Sequence, residues 1–313
     1  MRPASRLLLV ALCFILASFG SSIALSQAAS PEPHASPAKA APPAAIDPAA
    51  LVHRALIENK RSLDALRNYI FISDITEEEF GKDKNVSKTT TRREEHFFID
   101  GEPVSRTLLV NGQPPVEKER LKNEKDLDEK LADAHSASPH NRNERQKKAA
   151  KALAEAMEMR EDVVDAYVFT VAGEEAREDR RLIRIAAEPR PGFKGKSKLK
   201  ALLPFLHGTL LIDAESGQWV EIDATLIRRL GGGPFYLGEE SAIHLHQEPV
   251  AGGLWVMTRA DIRLNVRILW EHKNMRVQAL LHDFRRFGST VSIVEPAEPA
   301  PAEVPATQPT PKP

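Results

Sequence analysis

The chain has 313 residues, of which 42% are hydrophobic and 28% are charged, a balance typical of a globular protein with one large domain or two small ones. The formal net charge is −1. The chain therefore lacks the overall excess of Lys and Arg that gives nucleic-acid-binding proteins their electrostatic footprint, and bulk charge excludes nucleic acid as a partner.

The N-terminal segment has the pattern of a secretory signal peptide. Arg2 and Arg6 precede an apolar run over 7–19, and small residues follow it. This run is shorter than the about 20 apolar residues that span a bilayer core, so we predict a cleaved signal peptide over 1–28 and a periplasmic or otherwise extracytoplasmic location. Cys13 is the one cysteine and lies inside the run, so the mature chain would rely on burial rather than on disulfides.

Both ends of the remaining chain are rich in proline and alanine. The segments 29–50 and 295–313 contain few large apolar residues, and this composition favours extended, solvated tethers. We therefore predict one folded domain over 51–294 between two disordered termini.

The first third of this domain predicts a helix followed by an antiparallel meander. The segment 51–67 has apolar residues at helical spacing, which is typical of an amphipathic helix with one buried stripe. The stripe consists of Val52, Leu56, Leu63 and Leu66. The β-branched and aromatic residues that follow are separated by polar turns and Asp-Gly and Asn-Gly dipeptides, which indicates three strands with short connections.

The middle of the domain, 117–162, is dense in Lys, Glu and Ala. It predicts a charged helical insert of two helices separated near Pro139. The basic run 141–148 is typical of a solvated helix face, although such a run also binds phosphate or anionic lipid in other proteins.

The remaining chain predicts further strands, with a helical turn near 198–206 and a flexible Gly-rich connection over 228–241. The last three strands are long and antiparallel, at 241–249, 252–273 and 275–287. The chain thus predicts about ten strands, with a helix before them. This order favours an α+β fold, namely a strongly curved, incompletely closed antiparallel β-barrel (half-barrel) with helices covering the concave face. Two separate α+β modules are the alternative.

The carboxylates of the segment 208–227, among them Asp213, Glu215 and Asp223, raise the question of a catalytic site. If 214–217 is a hairpin loop, Asp213 lies opposite Gln218 and Ile212 opposite Trp219, with Leu211 and Leu210 next along the ladder opposite Val220 and Glu221. Asp213 then accepts backbone N–H groups in the turn, while Asp223 lies too far along the strand to form an acid–base pair with it. The acids indicate a structural turn.

A second candidate site is the sequence "AIHLHQE". The period of two places His244 and His246 on the same face of a strand, where two imidazoles can bind a transition metal if a third ligand is near. Candidate third ligands are Glu240, Glu248, His272 and His282. The alternative interpretation is a pair of histidines on the polar face of an amphipathic strand.

The apolar pattern of the strands is more informative than these polar residues. Several strands carry apolar residues on both faces, so both sides of the sheet are at least partly covered. A curved sheet covered by few helices either encloses an apolar cavity or has a filled core. The chain has no nucleophile motif and no phosphate loop, so we expect neither enzymatic activity nor a cofactor.

Several segments together resemble a known family. They are "YIFISDITEEEF", "FFIDGEPVSRTLLVNGQP", "GTLLIDAESGQWVEIDA", "GGLWVMTRADIRLNVRIL" and "LLHDFRRF". In strand order and pattern they look like the periplasmic lipoprotein-carrier and lipoprotein-sorting (LolA-like) superfamily, over about 51–287. The resemblance implies a half-barrel whose apolar cavity takes up acyl chains, with an acyl chain, lipid or lipoprotein as ligand and a membrane or envelope protein as a transient partner.

On this basis we predict a non-catalytic extracytoplasmic protein that acts in the transport, sorting or sensing of envelope lipoproteins. The candidate cavity residues are large apolar side chains on predicted strands or their loops, namely Phe71, Phe97, Trp219, Tyr236 and Trp255. Two alternatives remain, a secreted metal-dependent enzyme that uses His244 and His246, and a structural envelope protein that interacts through its tails or charged helices.

Overall fold

The computed structural model describes residues 46–99, 102–135, 139–250 and 252–286. Its helices are α1 (Pro48–Leu66), α2 (Glu117–His135) and α3 (Pro139–Ala166). Two short 3₁₀ turns, Lys198–Ala201 and Leu203–Phe205, lie where the sequence predicts a helical turn. The predicted signal peptide, most of the first tether and the whole of the second lie outside the described residues.

The strands of the described chain all belong to one antiparallel sheet. They are β1 (Tyr69–Phe80), β2 (Val86–Ile99), β3 (Glu102–Val110), β4 (Tyr167–Arg177), β5 (Arg180–Pro189), β6 (Leu206–Asp213), β7 (Trp219–Leu226), β8 (Leu230–Gly232), β9 (Phe235–Leu237), β10 (Ala242–Val250), β11 (Leu254–Ile268) and β12 (Glu271–Arg286).

The order across the sheet is β3-β2-β1-β12-β11-β10-β7-β6-β5-β4, and the β8–β9 hairpin is attached to β11 through β9. The two end strands, β3 and β4, do not pair with each other, so the sheet remains open. Both halves of the chain contribute strands to this one sheet, and the alternative of two separate modules is therefore wrong. The predicted fold class, an α+β protein with an incompletely closed antiparallel sheet and covering helices, is confirmed.

Helix α1 begins at a well-formed N-cap. The Asp47 carboxylate accepts the backbone N–H groups of Ala49 and Ala50 at 2.9 and 3.2 Å, and Pro48 occupies a first-turn position where its missing N–H costs nothing. The buried residues of α1 are Val52, Ala55 and Ser62. The predicted stripe is thus correct in its first half only.

In the second half of α1, Leu63 and Leu66 are half-buried and Ser62 faces the sheet in their place. Ser62 is buried there because the Gln218 side chain of the sheet lies under this part of the helix. Gln218 Nε2 donates to Ser62 Oγ at 3.1 Å. A polar contact therefore replaces the apolar one that helical spacing predicted.

The main hydrophobic core lies between α1, the end of α3 and the strands β4, β5 and β6. Its buried side chains include Val52, Ala166, Ile183, Ile185 and Ile212, all of them fully excluded from solvent. At roughly 1.5–3 kcal/mol for each large aliphatic side chain removed from water, this cluster fixes α1 on one face of the sheet.

The β6–β7 hairpin has the predicted loop and a shifted ladder. Asp213 N donates to Gln218 O at 2.9 Å, and Asp213 Oδ1 accepts the N–H groups of Glu215 and Ser216. Ile212 lies opposite Trp219 as predicted, but Leu211 lies opposite Glu221 and Leu210 opposite Ile222. A bulge at this point shifts the register by one residue, which the alternation of the sequence did not reveal.

The turn between β11 and β12 differs from its prediction. The strand predicted to run through to residue 273 ends at Ile268, and β12 begins at Glu271. The two turn residues are Leu269 and Trp270, and neither is a residue that normally marks a hairpin turn.

The two helices of the charged middle segment have different positions. Helix α2 lies beside β2 and β3, where Lys130 Nζ donates to Pro103 O at 3.2 Å. Helix α3 leads directly into β4, and its last turn reaches the main core through Val163 and Ala166. The segment predicted as an insert therefore supplies a helix that packs against α1.

Candidate ligand-binding site

A cleft of about 370 Å³ lies between α1 and α3. Its apolar walls come from both helices, and its rim carries charged side chains. The lining residues are His53, Leu56 and Ile57 of α1 and Met157, Arg160, Glu161, Val164 and Asp165 of α3. The volume falls in the range of small-molecule sites, which is roughly 300–1,000 Å³.

The helical period explains why this cleft exists. Val52 and Ala55 point from α1 into the core, while Ile57 lies outside that stripe and lines the cleft. On α3, Ala156 is buried, but its neighbour Met157 remains 49% exposed. An exposed, unbranched Met can adapt its shape to a ligand, so the cleft presents a deformable apolar wall to solvent.

Asp162 anchors α3 beside the cleft. Its carboxylate accepts the backbone N–H groups of Lys196 and Ser197 at 3.0 and 2.7 Å. Burial alone would raise the pKa of Asp162, but the hydrogen bonds from Ser197 and Lys196 and the charge of Lys196 lower it overall. The carboxylate is therefore ionised at neutral pH and ties α3 to the loop before the first 3₁₀ turn.

The rim of the cleft is mixed in charge. Glu161 and Asp165 are exposed, and Arg160, which directly precedes Glu161 in α3, is half-buried. The Nε atom of Arg160 is buried and has no hydrogen-bond partner in the described structure. An unsatisfied buried donor is costly, and the Arg160 guanidinium as a whole places a positive charge at the lining of the cleft.

A second cavity, of about 340 Å³, lies where the β1–β2 turn meets β11 and β12. It is lined by Phe80, Lys84, Glu240, Arg263, Leu264, Asn265, Asn274, Met275 and Arg276. Its exposed lining is as apolar as that of the cleft, but its apolar side chains, Phe80, Leu264 and Met275, alternate with charged and amide groups.

The structure does not bring the five predicted cavity residues together. None of them lines either cavity described above. Phe71 is buried and stacks on His96 and Phe284, with ring centroids 4.8 and 5.3 Å apart. Phe97 is half-buried and pairs with Val104 across β2 and β3.

The other three predicted residues lie in three further places. Trp219 is buried beneath α1, where Nε1 donates to Asn59 Oδ1 at 2.9 Å. Trp255 packs against the cluster of Leu182, Leu211 and Val220. Tyr236 lies on β9, 5.8 Å from the His272 ring. Their role in ligand binding stays a prediction.

His244 and His246 share one face of β10, as predicted, and each lies near an acid of β7. His244 Nδ1 is 2.5 Å from Asp223 Oδ1, and His246 lies 3.7 Å from Glu221. The described residues contain no group of three or more His, Cys, Asp or Glu side chains placed to hold a metal ion. The two histidines form part of a polar outer ladder in which Glu221 also binds Arg177 at 2.7 Å.

Sequence reasoning missed most of the cleft. Leu56 belonged to the predicted stripe of α1, but Ile57, Met157 and Val164 were not predicted to bind a ligand. The available signal was the position of Ile57, an apolar residue outside the buried stripe of its helix. Its partner on α3 could not be identified because the two helices are about a hundred residues apart in the chain.

No described helix combines the length and apolar character needed to cross a membrane. No family model matches the chain, and no curated protein matches it. Solved structures with a similar chain path include a DUF1329 family protein from Desulfovibrio piger, with 12% identity, a TM-score of 0.33 and coverage of 79% of this chain and 96% of that one.

Two further similar structures are named as a LolA superfamily protein and as a lipoprotein-sorting domain. The LolA superfamily protein NE2245 from Nitrosomonas europaea has 8% identity and a TM-score of 0.27, with 78% of this chain and 95% of that chain covered. A putative outer membrane lipoprotein-sorting protein domain from Vibrio parahaemolyticus has 8% identity and a TM-score of 0.32, with 77% and 95% covered. At such values the likeness concerns the fold at most, and the function must come from the side chains.

Proposed function

We propose that the protein is a non-catalytic extracytoplasmic binding protein that holds the acyl chain of a lipid or lipoprotein in the cleft between α1 and α3. The observation that carries this proposal is the cleft itself, with an apolar lining from Leu56, Ile57, Met157 and Val164 and a volume of about 370 Å³. The fold neighbours and the predicted signal peptide are consistent with a periplasmic role in lipoprotein binding or sorting.

Burial of an alkyl chain supplies the affinity. Each methylene removed from water contributes about 0.8 kcal/mol, so a chain of about ten methylenes gains on the order of 8 kcal/mol before the entropic costs of binding. Arg160 lines the cleft and offers its guanidinium cation to the polar end of the ligand. Binding of this kind involves no covalent step.

Opening of the cleft would have to break the bonds that hold α3 in place. Asp162 binds the backbone N–H groups of Lys196 and Ser197, and Val163 and Ala166 pack in the main core. A partner that favours an open arrangement would release the ligand by shifting the population between the two arrangements.

The test is acyl-chain binding to the purified, delipidated protein, measured by titration with a fluorescent fatty acid and by native mass spectrometry of protein isolated from the cell envelope. Met157→Glu combined with Ile57→Asn places polar groups in the cleft and should weaken binding by at least tenfold, since two apolar contacts are lost. Val168→Glu is the matched control, because Val168 is similarly exposed at 47% and lies outside the cleft.

The proposal fails if the wild-type protein neither carries nor binds an acyl chain, or if the cleft double variant and the Val168 variant bind equally well. Thermal unfolding of each variant shows whether a loss of binding reflects a loss of folding. Stoichiometric zinc in the isolated protein, lost in the combined variant His244→Ala and His246→Ala, would favour the metal-dependent alternative.

A further inference from the structure

The turn between β11 and β12 exposes large apolar side chains to solvent. Trp270 is 80% exposed, and its neighbours Leu269 and Ile268 are each 39% exposed. Phe235 of β9, 54% exposed, lies opposite Ile268 in the adjoining ladder. We call these four residues the aromatic tip. Single exposed apolar residues are common, but a contiguous exposed group marks an interaction site.

The backbone of the tip shows a local conflict with ordinary turn chemistry. Leu269 has φ +60°, a left-handed conformation that disfavours side chains with a Cβ and that hairpin turns normally assign to Gly, Asn or Asp. The turn thus keeps a large apolar residue, Leu269, at a position where Gly or Asn would be more stable. Such conflicts concentrate at functional sites.

The tip is held as one surface by backbone contacts between two segments. Leu269 N donates to Pro234 O at 2.6 Å, which attaches the β8–β9 hairpin to the turn. Arg267 Nε donates to Leu269 O at 3.0 Å and fixes the turn from the other side. Phe235 and Trp270 are therefore presented together rather than on independent loops.

Cationic side chains lie near the tip. The guanidinium groups of Arg229 and Arg267 lie 4.8 and 5.9 Å from the centre of the Tyr236 ring, and Tyr236 follows Phe235 on β9. Lys273 adds a further positive charge. Glu271, 3.8 Å from Lys273, offsets one of these three positive charges.

We propose that the aromatic tip docks this protein on an anionic bilayer surface, with Trp270 and Phe235 in the interfacial layer and the surrounding Arg and Lys side chains at the lipid phosphates. Trp is amphipathic and favours the level of the head groups, where its ring is apolar and its indole N–H can still find a partner. Basic residues next to such an anchor attract anionic lipids.

The charge around the tip is what favours a bilayer over a protein partner. A tip that binds a protein pocket needs a complementary shape and gains little from a diffuse ring of cations, whereas both features of this surface contribute to binding a charged interface. The proposal does not depend on the cleft between α1 and α3, because the two sites share no residue.

The test uses the mature chain with vesicles of phosphatidylcholine alone and of equal parts phosphatidylcholine and phosphatidylglycerol. We expect co-sedimentation with the mixed vesicles, weaker binding at high salt because exposed charges are screened, and a blue shift of the tryptophan emission. In Trp270→Ser, binding should fall about tenfold, and the blue shift should disappear because Trp219 and Trp255 are shielded from solvent to a greater degree.

The charge contribution is tested with Arg229→Gln and Lys273→Gln, each of which should weaken binding to the mixed vesicles by about fivefold. The matched control is Arg181→Gln, an exposed arginine of β5 paired with Glu174, which should leave binding unchanged. Equal binding to both vesicle types, or unchanged binding in Trp270→Ser with an intact fold, would overturn the proposal. So would capture of a soluble protein by the tip without any affinity for vesicles.

Discussion

Trp219 of β7 donates its indole N–H to Asn59 Oδ1 of α1 at 2.9 Å, and this bond joins the helix to the middle of the sheet. Beside it, Gln218 Nε2 donates to Ser62 Oγ at 3.1 Å and Gln218 Oε1 accepts from Gln247 Nε2 at 2.9 Å. The second half of α1 is therefore held by directional polar bonds, whereas the first half is held by apolar burial.

We expect Asn59→Ala to destabilise the protein by about 1–3 kcal/mol, because it leaves the indole N–H of a buried tryptophan without a partner. Chemical denaturation of both proteins measures this difference. The control is Asn68→Ala, since Asn68 is exposed and makes one long side-chain bond of 3.4 Å to Ala65 O. Equal effects at the two positions would mean that the bond between Trp219 and Asn59 does not hold α1.

Gln247 is 1% exposed and Gln218 is 6% exposed, so the bond between their side chains is buried. We expect Gln247→Met to lower the free energy of unfolding by about 1–3 kcal/mol, because the side-chain oxygen Oε1 of Gln218 loses its donor. A double-mutant cycle with Gln218→Met should give a coupling energy of about 1 kcal/mol. Strictly additive losses would show that the two amides act independently.

Acid should destabilise the protein through His96. Burial lowers the pKa of His96 from 6.5 to about 4, so the unfolded chain takes up this proton first as the pH falls. The contribution of neutral His96 to the free energy of unfolding is fully present above about pH 6.5. It declines toward about pH 4 by on the order of 3 kcal/mol, at 1.36 kcal/mol per pH unit.

The measurement is the free energy of unfolding of His96→Gln and the wild type across this pH window. We expect a flatter pH dependence in the variant, which has no imidazole to protonate. His207→Gln serves as the control, because that ring lies on the surface at 41% exposure. Parallel curves for His96→Gln and the wild type would contradict the assignment.

Gly208 is required by the close approach of β6 to β7. A Cβ at this position would lie 1.9 Å from the backbone oxygen of Asp223 and 2.9 Å from Ala224 Cα. Because both are backbone atoms, they cannot move aside, and we expect Gly208→Ala to cost about 3 kcal/mol or more.

Gly173 provides the matched control in β4, since a Cβ there meets no atom within 4 Å. Gly173→Ala should be neutral or stabilise by up to about 1 kcal/mol, because it restricts the unfolded chain. Thermal unfolding compares the two variants. Similar melting temperatures would show that β6 and β7 can separate to admit a methyl group.

Substitutions at Leu269 should separate the stability of the turn from its role in membrane binding. Leu269→Gly should be more stable than Leu269→Ala by about 1 kcal/mol, because Gly adopts the φ of +60° without a Cβ penalty. Both variants remove the same apolar side chain, so both should bind mixed vesicles less well than the wild type. Chemical denaturation and vesicle co-sedimentation measure the two effects separately.

Much of the fold was predictable because hydrophobic period and turn residues are local signals. The first helix, the antiparallel meander and the loop with its Asp213 cap all follow from short segments. The errors have equally local causes: a bulge at Val220 shifted the β7 register, and the turn at Leu269 and Trp270 carries no Gly, Pro, Asn or Asp to mark it.

The candidate site was not predictable in the same way. Large aromatic residues on strands were predicted to line a cavity, whereas in the structure Trp219 and Phe71 serve as packing residues. The cleft instead uses Ile57 and Met157 from two helices distant in sequence. A helix shows which of its faces is apolar, but not which other element will lie opposite that face.

The sequence by itself determined the α+β class and the position of most helices and strands, because these depend on neighbouring residues and on their period. Only the tertiary structure decided what each face meets. It placed Gln218 beneath Ser62, α3 beside Ile57, and Phe235 next to Ile268 at the aromatic tip. These contacts join residues far apart in the chain, and their free energy depends on a geometry that exists only once the whole sheet has formed.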